Sequence, residues 1–314
     1  VLNVAGMAEH LTLEMELNES GVFHHTGNAE WAVGTAERDA LLTKIRRLQS
    51  WGYAAEIVDR TTLHDVDPNL IPPDDATALA FYPSEGYVDA PALAATLLER
   101  ARGLGAQVRK GDAVVSLGSV NGRSRTITLS NGEKHSAEMV VSAAGRWTGR
   151  LLATAGFELP MAPTRSCLAV TSPVPVRLRT MLYSSAINIR AEGNDRLLLQ
   201  NTATDLQGDE ASATITPENF EQELLARARR AVRNLDGLRI DDPKIGIRAI
   251  PGDGLPVVGP VPGCERLYVV CSHSGVTLAP FYARAVTKEI VSGTPEERLA
   301  TFRPDRFCTA PTSS

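Results

Sequence analysis

The chain has 314 residues and a formal net charge of −5, with 43% hydrophobic and 22% charged residues. These values are typical of a globular protein with one large domain or two ordinary ones. The acidic balance disfavours a nucleic-acid backbone as partner, and no apolar run is long enough to predict a membrane span. The cysteines, at positions 167, 264, 271 and 308, lack Cys-x-x-Cys spacing, so we interpret them as free thiols in a reducing cytoplasm.

Hydrophobic periodicity predicts helices and short strands in the first third of the chain. Thr35 is expected to cap the second helix, whose apolar face ends at Trp51 before Gly52 stops it. Two prolines, at 72 and 73, indicate a loop. The predicted elements are a helix over 7–20, a strand over 23–33, a helix from Thr35 to Gly52, a strand over 55–58 and a helical turn over 62–67.

The middle of the chain combines a helix with a strand meander. Asp89 is expected to cap a helix that buries Leu97 and Leu98. An Asn-Gly pair at 131–132 is a strong signal for a two-residue hairpin. Residues 139–143 are too apolar to face water, so we expect a central parallel strand that ends in a glycine turn. Two further strands are predicted at 113–117 and 125–129.

From residue 160 the pattern changes to short alternating strands separated by polar turns. A long helix is expected to open at Thr216, Pro217 and Glu218, and its arginines between 227 and 233 are interpreted as a solvated face. A last helix is predicted over 276–292, where Gly293 stops it. The predicted strands of this half lie at 163–171, 186–190, 196–201, 245–250 and 267–271.

Two stretches near the C-terminus carry the strongest functional signal. In the first, Arg248 is followed by a turn of Gly252, Asp253 and Gly254, whose glycines let the backbone lie against a flat ligand. In the second, a buried strand leads through a His-Ser-Gly turn, beginning at His273, into a helix start. The paired motifs resemble the C-terminal signature of the FAD-dependent superfamily that contains D-amino-acid oxidase, glycine oxidase and sarcosine oxidase.

The resemblance implies a mixed α/β fold, in which an interrupted Rossmann-like FAD-binding domain is interleaved with an antiparallel-sheet substrate domain. The superfamily begins with a strand–Gly-x-Gly-x-x-Gly–helix unit, about 30 residues long, and this sequence contains no such fingerprint. We therefore interpret the chain as truncated and expect the fingerprint upstream of it. The expected boundaries are 1–20, 86–158 and 252–314 for the FAD-binding domain, and 21–85 and 159–251 for the substrate domain.

The resemblance also implies which residues contact FAD. The N–H groups and positive dipole end of the last helix, at Gly275, Val276 and Thr277, are expected to stabilise negative charge on the flavin. Plain helix–sheet packing is the alternative explanation for these three residues. No cysteine lies between Cys167 and Cys264, so covalent flavin attachment is not expected. The other residues placed at the cofactor are Val114, Ala144, Gly145, Trp147, Gly252, Asp253 and Gly254.

Four residues are candidates for the catalytic site. Arg248 is expected to bind a substrate carboxylate through two parallel hydrogen bonds, and His273 to donate to the flavin or the substrate. Asn188 and Arg190 fall on a strand that lines the pocket in relatives, and Asn188 stands where glycine-oxidase-like enzymes carry a tyrosine. Each residue also has a structural interpretation, as a solvent-facing strand residue or a lone structural histidine.

These features predict FAD-dependent oxidation of the C–N bond of a small amino acid or secondary amine, by hydride transfer to the flavin. The spacing of cysteines and histidines predicts no metal site. The alternative is an FAD-free, catalytically silent chain that acts as an interaction module or is a gene fragment. The natural substrate, the electron acceptor and the oligomeric state stay open at this stage.

Overall fold

A computed structural model of the protein describes residues 2–18, 21–162, 164–201, 206–207 and 219–308. The chain divides into two compact units. Unit 1 comprises Val1–Glu19, Ala90–Thr164 and Ile247–Ser314, and unit 2 comprises Ser20–Asp89 and Arg165–Gly246. The assignment of the first to FAD and the second to the substrate stays a prediction. Among the described residues, no helix is long and apolar enough to cross a membrane.

The elements are numbered in chain order. The helices are α1 (Leu2–Leu17), α2 (Gly34–Ser50), α3 (Arg60–Val66), α4 (Ala90–Gly103), α5 (Thr148–Ala153), α6 (Phe220–Ala231) and α7 (Gly275–Ser292). The strands are β1 (Phe23–His24), β2 (Asn28–Val33), β3 (Glu56–Val58), β4 (Ala76–Tyr82), β5 (Tyr87–Val88), β6 (Val114–Asn121), β7 (Ser124–Leu129), β8 (Lys134–Ala137), β9 (Val140–Ser142), β10 (Thr164–Thr171), β11 (Met181–Tyr183), β12 (Asn188–Glu192), β13 (Arg196–Gln200), β14 (Leu206–Gln207), β15 (Ile240–Arg248), β16 (Val257–Pro260) and β17 (Leu267–Cys271). Short 3₁₀ segments run over Gly145–Trp147, Glu297–Phe302 and Pro304–Phe307.

The core of unit 1 lies on both faces of a small sheet. In this sheet β17 pairs with β16 in antiparallel and with β9 in parallel orientation. Successive strand residues point to opposite faces, so Val257 packs with Leu152 on one side and Val258 packs with Phe281 of α7 on the other. A separate antiparallel meander of β6, β7 and β8 completes the strands of this unit among the described residues.

Helix α1 is held against α7 by a close approach and by charge. Gly6 of α1 faces the start of α7, where an added Cβ would collide with the carbonyl oxygen of Thr277. Further along, Arg284 of α7 forms ion pairs of 2.7 Å with Glu9 and with Glu16 of α1. The glycine therefore permits helix contact at one end, and the arginine bridges two turns of α1 at the other.

Unit 2 is organised around a large twisted sheet. Its strands run in the order β14-β10-β13-β12-β11-β2-β4-β3, and β15 pairs with β10. Most neighbours are antiparallel, whereas β11 and β2 are parallel. Helix α6 buries Phe220, Leu224 and Ala228 in the main core of this unit. Helix α2 buries Leu41 and Ile45 in a second core, together with Ala80 and Tyr82 of β4.

The structure corrects several predicted helix features. Helix α1 begins at Leu2 rather than at residue 7. Thr35 does not cap α2, because the helix begins at Gly34 and the N–H of Val33 donates instead to the Glu37 carboxylate, at 2.8 Å. Trp51 is 46% exposed, since it lies one residue beyond the last turn of α2.

Two further helix predictions need correction. Leu97 and Leu98 are each 39% exposed, because α4 buries only its N-terminal part, at Leu93. The arginines near the end of α6 are not simply solvated: Arg227 donates to the Ala186 carbonyl at 3.0 Å and Arg229 to the Leu238 carbonyl at 2.9 Å. The predicted helix start at 216–218 and the predicted strand start at 163 lie outside the described residues.

Several strands also differ from prediction. The strand expected over 23–33 is interrupted at Gly27, whose φ of +66° does not fit an extended strand, and becomes β1 and β2. The predicted strand 186–190 is shifted to β12, and β15 starts five residues before the predicted 245. Strands β4, β5, β8, β11, β14 and β16 were not predicted. The central strand of the small sheet is β17 rather than β9, because β17 pairs along both of its edges.

Candidate active site

The clearest polar pair in unit 1 joins Arg248 and His273. Arg248 is the last residue of β15, and His273 lies in the turn between β17 and α7. Arg248 Nη1 donates to His273 Nε2 across 2.8 Å. A guanidinium has no acceptor, so Nε2 must accept, and this requires a neutral imidazole that carries its proton on Nδ1. The structure thus brings together two of the predicted catalytic residues.

The loop after Arg248 is shaped by its glycines. The N–H of Gly252 donates to the Pro160 carbonyl at 2.8 Å, and an added Cβ would lie 2.9 Å from the Cβ of Pro160. Gly254 has a φ of +76°, and its N–H donates to the Pro251 carbonyl at 2.8 Å. The first glycine therefore serves close packing and the second serves the turn.

Asp253, which the resemblance places at the cofactor, has strong partners within the chain. Its carboxylate accepts from Arg306 Nε at 2.7 Å and from Arg306 Nη2 at 3.1 Å. It also accepts from the N–H of Leu255 at 3.0 Å. The hydrogen bond from Arg306 is the main reason that the pKa of Asp253 lies below its ordinary value. The side chain is therefore an ionised loop anchor, and its predicted contact with the cofactor stays a prediction.

The N-terminus of α7 opens directly after His273. The helix begins at Gly275, and Ser274 makes no side-chain capping bond. Among the described residues, no atom other than those of the two neighbours and of the helix's own backbone lies within 4 Å of the place where a Cβ on Gly275 would stand. The Val276 carbonyl accepts from His10 Nε2 of α1 at 2.9 Å. An 18-residue helix with this start places positive dipole charge and N–H groups at Gly275.

A cavity of about 510 Å³ lies at this helix start. Gly145 is one of the residues that line this cavity. It has a φ of +57°, and its carbonyl accepts from Thr148 Oγ1 at 2.7 Å. Burial raises the pKa of the Cys271 thiol and of the Tyr282 hydroxyl, so both lining groups are neutral near pH 7. The lining residues are Val141, Ala143, Gly145, Val270, Cys271, Ser272, Gly275, Ala279, Tyr282, Ala283, Val286, Thr287 and Ile290.

The cavity contains some of the predicted cofactor residues and omits others. Gly145 and Gly275 line it, and Val141 is 43% exposed because it faces the same space. Val114 lies on β6 opposite Leu129, and it is not among the lining residues. Trp147 is 51% exposed and carries the Arg146 guanidinium 4.3 Å from its ring centroid. Contacts of Gly145, Gly275, Val114, Ala144 and Trp147 with a cofactor all stay predictions.

Apart from Gly275, sequence reasoning missed the lining contributed by α7 and β17. Tyr282 donates to Ser272 Oγ at 3.4 Å, and both residues line the cavity. The signal was present in the helical period, because Ala279, Ala283 and Val286 recur three or four residues apart on one face of α7. The apolar face of this helix therefore lines the cavity as well as packing on the sheet.

The other two predicted catalytic residues belong to unit 2. Asn188 Nδ2 donates to Gln200 Oε1 at 3.4 Å, across the β12–β13 pair. Arg190 forms an ion pair of 2.6 Å with Glu192, and its guanidinium lies 4.6 Å from the ring centroid of Tyr87. Tyr87 and Glu192 were not predicted as partners of Arg190. A role of Asn188 or Arg190 in substrate binding stays a prediction.

Comparison with known proteins identifies the family. Residues 2–289 match the family model described as FAD dependent oxidoreductase, DAO. The chain belongs to this family. The predicted superfamily is thereby confirmed, and the FAD dependence of the family agrees with the predicted cofactor.

The curated relatives of the chain include glycine oxidases. It is 31% identical over 228 residues to glycine oxidase of Geobacillus kaustophilus, across 69% of this chain and 56% of that protein. It is 29% identical over 171 residues to glycine oxidase of Pseudomonas putida, across 54% of this chain and 46% of that protein. The chain spans about half the length of the curated relatives that it matches.

Solved structures confirm the α/β fold class. The crystal structure of glycine oxidase from Geobacillus kaustophilus matches with a TM-score of 0.86 and 25% identity, over 98% of this chain and 83% of that chain. L-proline dehydrogenase from P. horikoshii matches with a TM-score of 0.86 at 18% identity, over 98% of this chain and 82% of that one. The second likeness concerns the fold alone.

The residues of unit 1 fit part of a flavin nucleotide. Gly145 and Gly275 line the cavity and carry no Cβ, so the backbone at these two positions can lie close to a planar ring. Its lining thiol and phenol are neutral, and the start of α7 favours negative charge. Gly145, Ser272 and Gly275 are the residues that would hold such a ring.

Proposed function

We propose that this protein oxidises the C–N bond of a small amino acid or secondary amine with FAD as cofactor. The observation that carries the proposal is the 2.8 Å bond between Arg248 and His273, two residues before the start of α7. Membership of the FAD dependent oxidoreductase family supports it. The glycine oxidases among the relatives support a substrate that bears a carboxylate beside its amine.

Arg248 would bind the substrate carboxylate. A planar guanidinium offers two parallel N–H donors to a carboxylate, which sets the direction of the bond from the carboxylate to Cα. His273 accepts from Nη1 and thereby restricts rotation of the guanidinium. The pair would therefore orient the substrate rather than only attract it, and orientation accounts for much of the barrier reduction in such reactions.

The remaining chemistry requires a hydride acceptor, which FAD supplies when bound. The Cα–H bond of the substrate would break with both electrons leaving as hydride, and the amine nitrogen lone pair would form a C=N bond with loss of a nitrogen proton. Water would hydrolyse the imine of a primary amino acid to an oxo acid and ammonia, and that of a secondary amine to a carbonyl compound and a primary amine. The start of α7 at Gly275 favours the negative charge that accompanies two-electron transfer. The Cys271 thiol and the Tyr282 hydroxyl that line the cavity are neutral, so neither adds a charge near the start of α7.

The test compares amines with and without a carboxylate. The purified protein, supplied with FAD, is mixed anaerobically with glycine or methylamine, and with sarcosine or dimethylamine, while visible flavin absorbance is followed. We expect loss of absorbance with at least one carboxylate-bearing member and little with its decarboxylated counterpart. Equal loss with both members of each pair would contradict the role of Arg248. Failure to retain FAD would favour the catalytically silent alternative.

A further inference from the structure

The C-terminal strap, residues 296–307, returns from the end of α7 along unit 1. Arg303 of the strap donates from Nη1 to Glu289 Oε2 of α7 at 2.9 Å. Glu296 donates through its N–H to Glu289 Oε1 at 2.6 Å. The side chains of Glu289 and Arg303 are only 8% and 18% exposed, so this ion pair anchors the strap in a largely dry position.

The C-terminal end of the strap contacts the loop 251–256 through Arg306. Arg306 donates from Nε to Asp253 Oδ2 at 2.7 Å and from Nη2 to Asp253 Oδ1 at 3.1 Å. The same Nη2 donates to the Leu255 carbonyl at 3.2 Å, and Nη1 donates to the Arg303 carbonyl at 3.0 Å. One guanidinium therefore joins a loop carboxylate, the loop backbone and the strap's own backbone.

Only two residues lie between Arg248 and the start of this loop. The N–H of Ala162 donates to the Ile250 carbonyl and the N–H of Gly252 donates to the Pro160 carbonyl, each at 2.8 Å. These two bonds and the bonds from Arg306 all hold the segment between Arg248 and β16. A change at Arg306 removes one of the two supports without touching Arg248 or His273.

We propose that Arg306 is a positioning residue for the Arg248 anchor, and that it acts through Asp253 and the 251–256 loop. Two hydrogen bonds join Arg306 to the Asp253 carboxylate, and this geometry restrains an arginine most effectively. The bond from Arg306 to the Leu255 carbonyl extends the restraint to the loop backbone. The effect of Arg306 on substrate kinetics rests on the proposed function, whereas its effect on the loop 251–256 does not.

The test uses the variants Arg306→Gln, Arg306→Lys and Asp253→Asn in the purified protein with FAD added. Arg109→Gln is the matched control, because Arg109 also binds both oxygens of a carboxylate, that of Glu133, at 3.0 and 2.7 Å, elsewhere in unit 1. Hydrogen–deuterium exchange of the peptide covering 249–257 reports the loop. Steady-state kinetics with the amino acid that reduces the flavin fastest reports the anchor.

We expect Arg306→Gln to speed exchange in the loop and to raise KM about two- to fivefold, as loss of a partly exposed ion pair allows. Arg306→Lys should show a smaller change, and Arg109→Gln should show none in the loop. Because Arg306 acts through Asp253, adding Asp253→Asn to Arg306→Gln should change neither readout further. If Arg306→Gln does not fold, Arg306→Lys and Asp253→Asn carry the same comparison.

Two results would overturn the inference. One is loop exchange and KM in the Arg306 variants equal to those of the wild-type protein. The other is fully additive effects of Arg306→Gln and Asp253→Asn on loop exchange. Faster loop exchange in a protein that oxidises no amino acid would support the restraint while refuting the proposed function. Amino-acid oxidation with an unaltered loop and KM would refute the restraint alone.

Discussion

Arg248 and His273 are joined by a 2.8 Å hydrogen bond although 25 residues separate them in the chain. One residue ends β15 and the other precedes α7, so the bond connects a strand end to a helix start. The imidazole accepts through Nε2, which fixes both its tautomer and the edge that Arg248 presents. The consequences of this arrangement can be measured at each partner and at the neighbouring helix start.

Replacing Arg248 with lysine should keep the positive charge and remove the two parallel N–H donors of the guanidinium. We expect KM for carboxylate substrates to rise about 10- to 150-fold, which corresponds to about 1.5–3 kcal/mol for a charged hydrogen bond. The visible spectrum of bound flavin should be unchanged, since the substitution leaves the cavity lining intact. Arg109→Lys is the control for a change in a surface arginine. Wild-type KM in Arg248→Lys would show that this residue is not the anchor.

Valine at position 275 should weaken FAD binding without unfolding the protein. In the part of the chain that the structure describes, no atom beyond the adjacent residues and the backbone of α7 lies within 4 Å of the added Cβ. The chain therefore accommodates the substitution, and the side chain enters the space where the cofactor is expected. We expect a loss of FAD affinity of about 1–3 kcal/mol and slower reduction by substrate, because the helix start is held away from the ring.

Titration with FAD and anaerobic reduction measure these two effects of Gly275→Val, and circular dichroism reports folding. Gly103→Val is the matched control, because Gly103 ends α4 and an added Cβ there meets, by the same measure, no atom of the described residues within 4 Å. Unchanged FAD affinity and reduction rate in Gly275→Val would place this turn away from the flavin.

Adding a side chain at Gly6 should destabilise unit 1. The Cβ of Gly6→Ala would collide with the Thr277 carbonyl oxygen, and backbone cannot yield as a flexible side-chain tip does. We expect a loss of about 1–3 kcal/mol in the free energy of unfolding, as for overpacked sites. Gly103→Ala should instead be neutral or slightly stabilising. Urea unfolding measures both, and equal stability of the two variants would contradict the close contact of α1 with α7.

Stability of unit 2 should depend on pH through Glu85. Burial raises the pKa of this carboxyl group above its ordinary value, although Asn28 and Tyr53 donate to it at 2.9 and 3.1 Å. A folded pKa above the unfolded one means that the folded state binds the proton more tightly. The contribution is therefore fully present below the unfolded pKa and is lost as pH rises through the folded pKa.

Glu85→Gln removes this titration. We expect the unfolding free energy of the wild-type protein to fall, relative to that of the variant, as pH rises from about 4 towards neutrality. Urea unfolding of both proteins across this range gives the difference curve. A flat difference curve, or one that rises with pH, would show that Glu85 does not titrate as its burial indicates.

Local sequence signals were sufficient for the second signature stretch. The apolar run of β17, the following turn and the stop at Gly293 predicted a strand, a turn and a helix, and α7 runs from Gly275 to Ser292. Gly293 has a φ of +69°, which residues other than glycine adopt only at a cost in free energy. The glycine itself therefore predicts where the helix ends. The family resemblance rests on this kind of local signal.

Only the tertiary structure decided which distant side chains meet. The sequence marked Asp253 as a turn residue, and folding brings Arg306, 53 residues later, onto its carboxylate. It marked Arg190 as a strand arginine, and folding places its guanidinium beside the ring of Tyr87, which lies in a distant part of the chain. Residue type and spacing report conformation over a few neighbours, whereas such pairs depend on strand order and helix packing, which many chain segments set together.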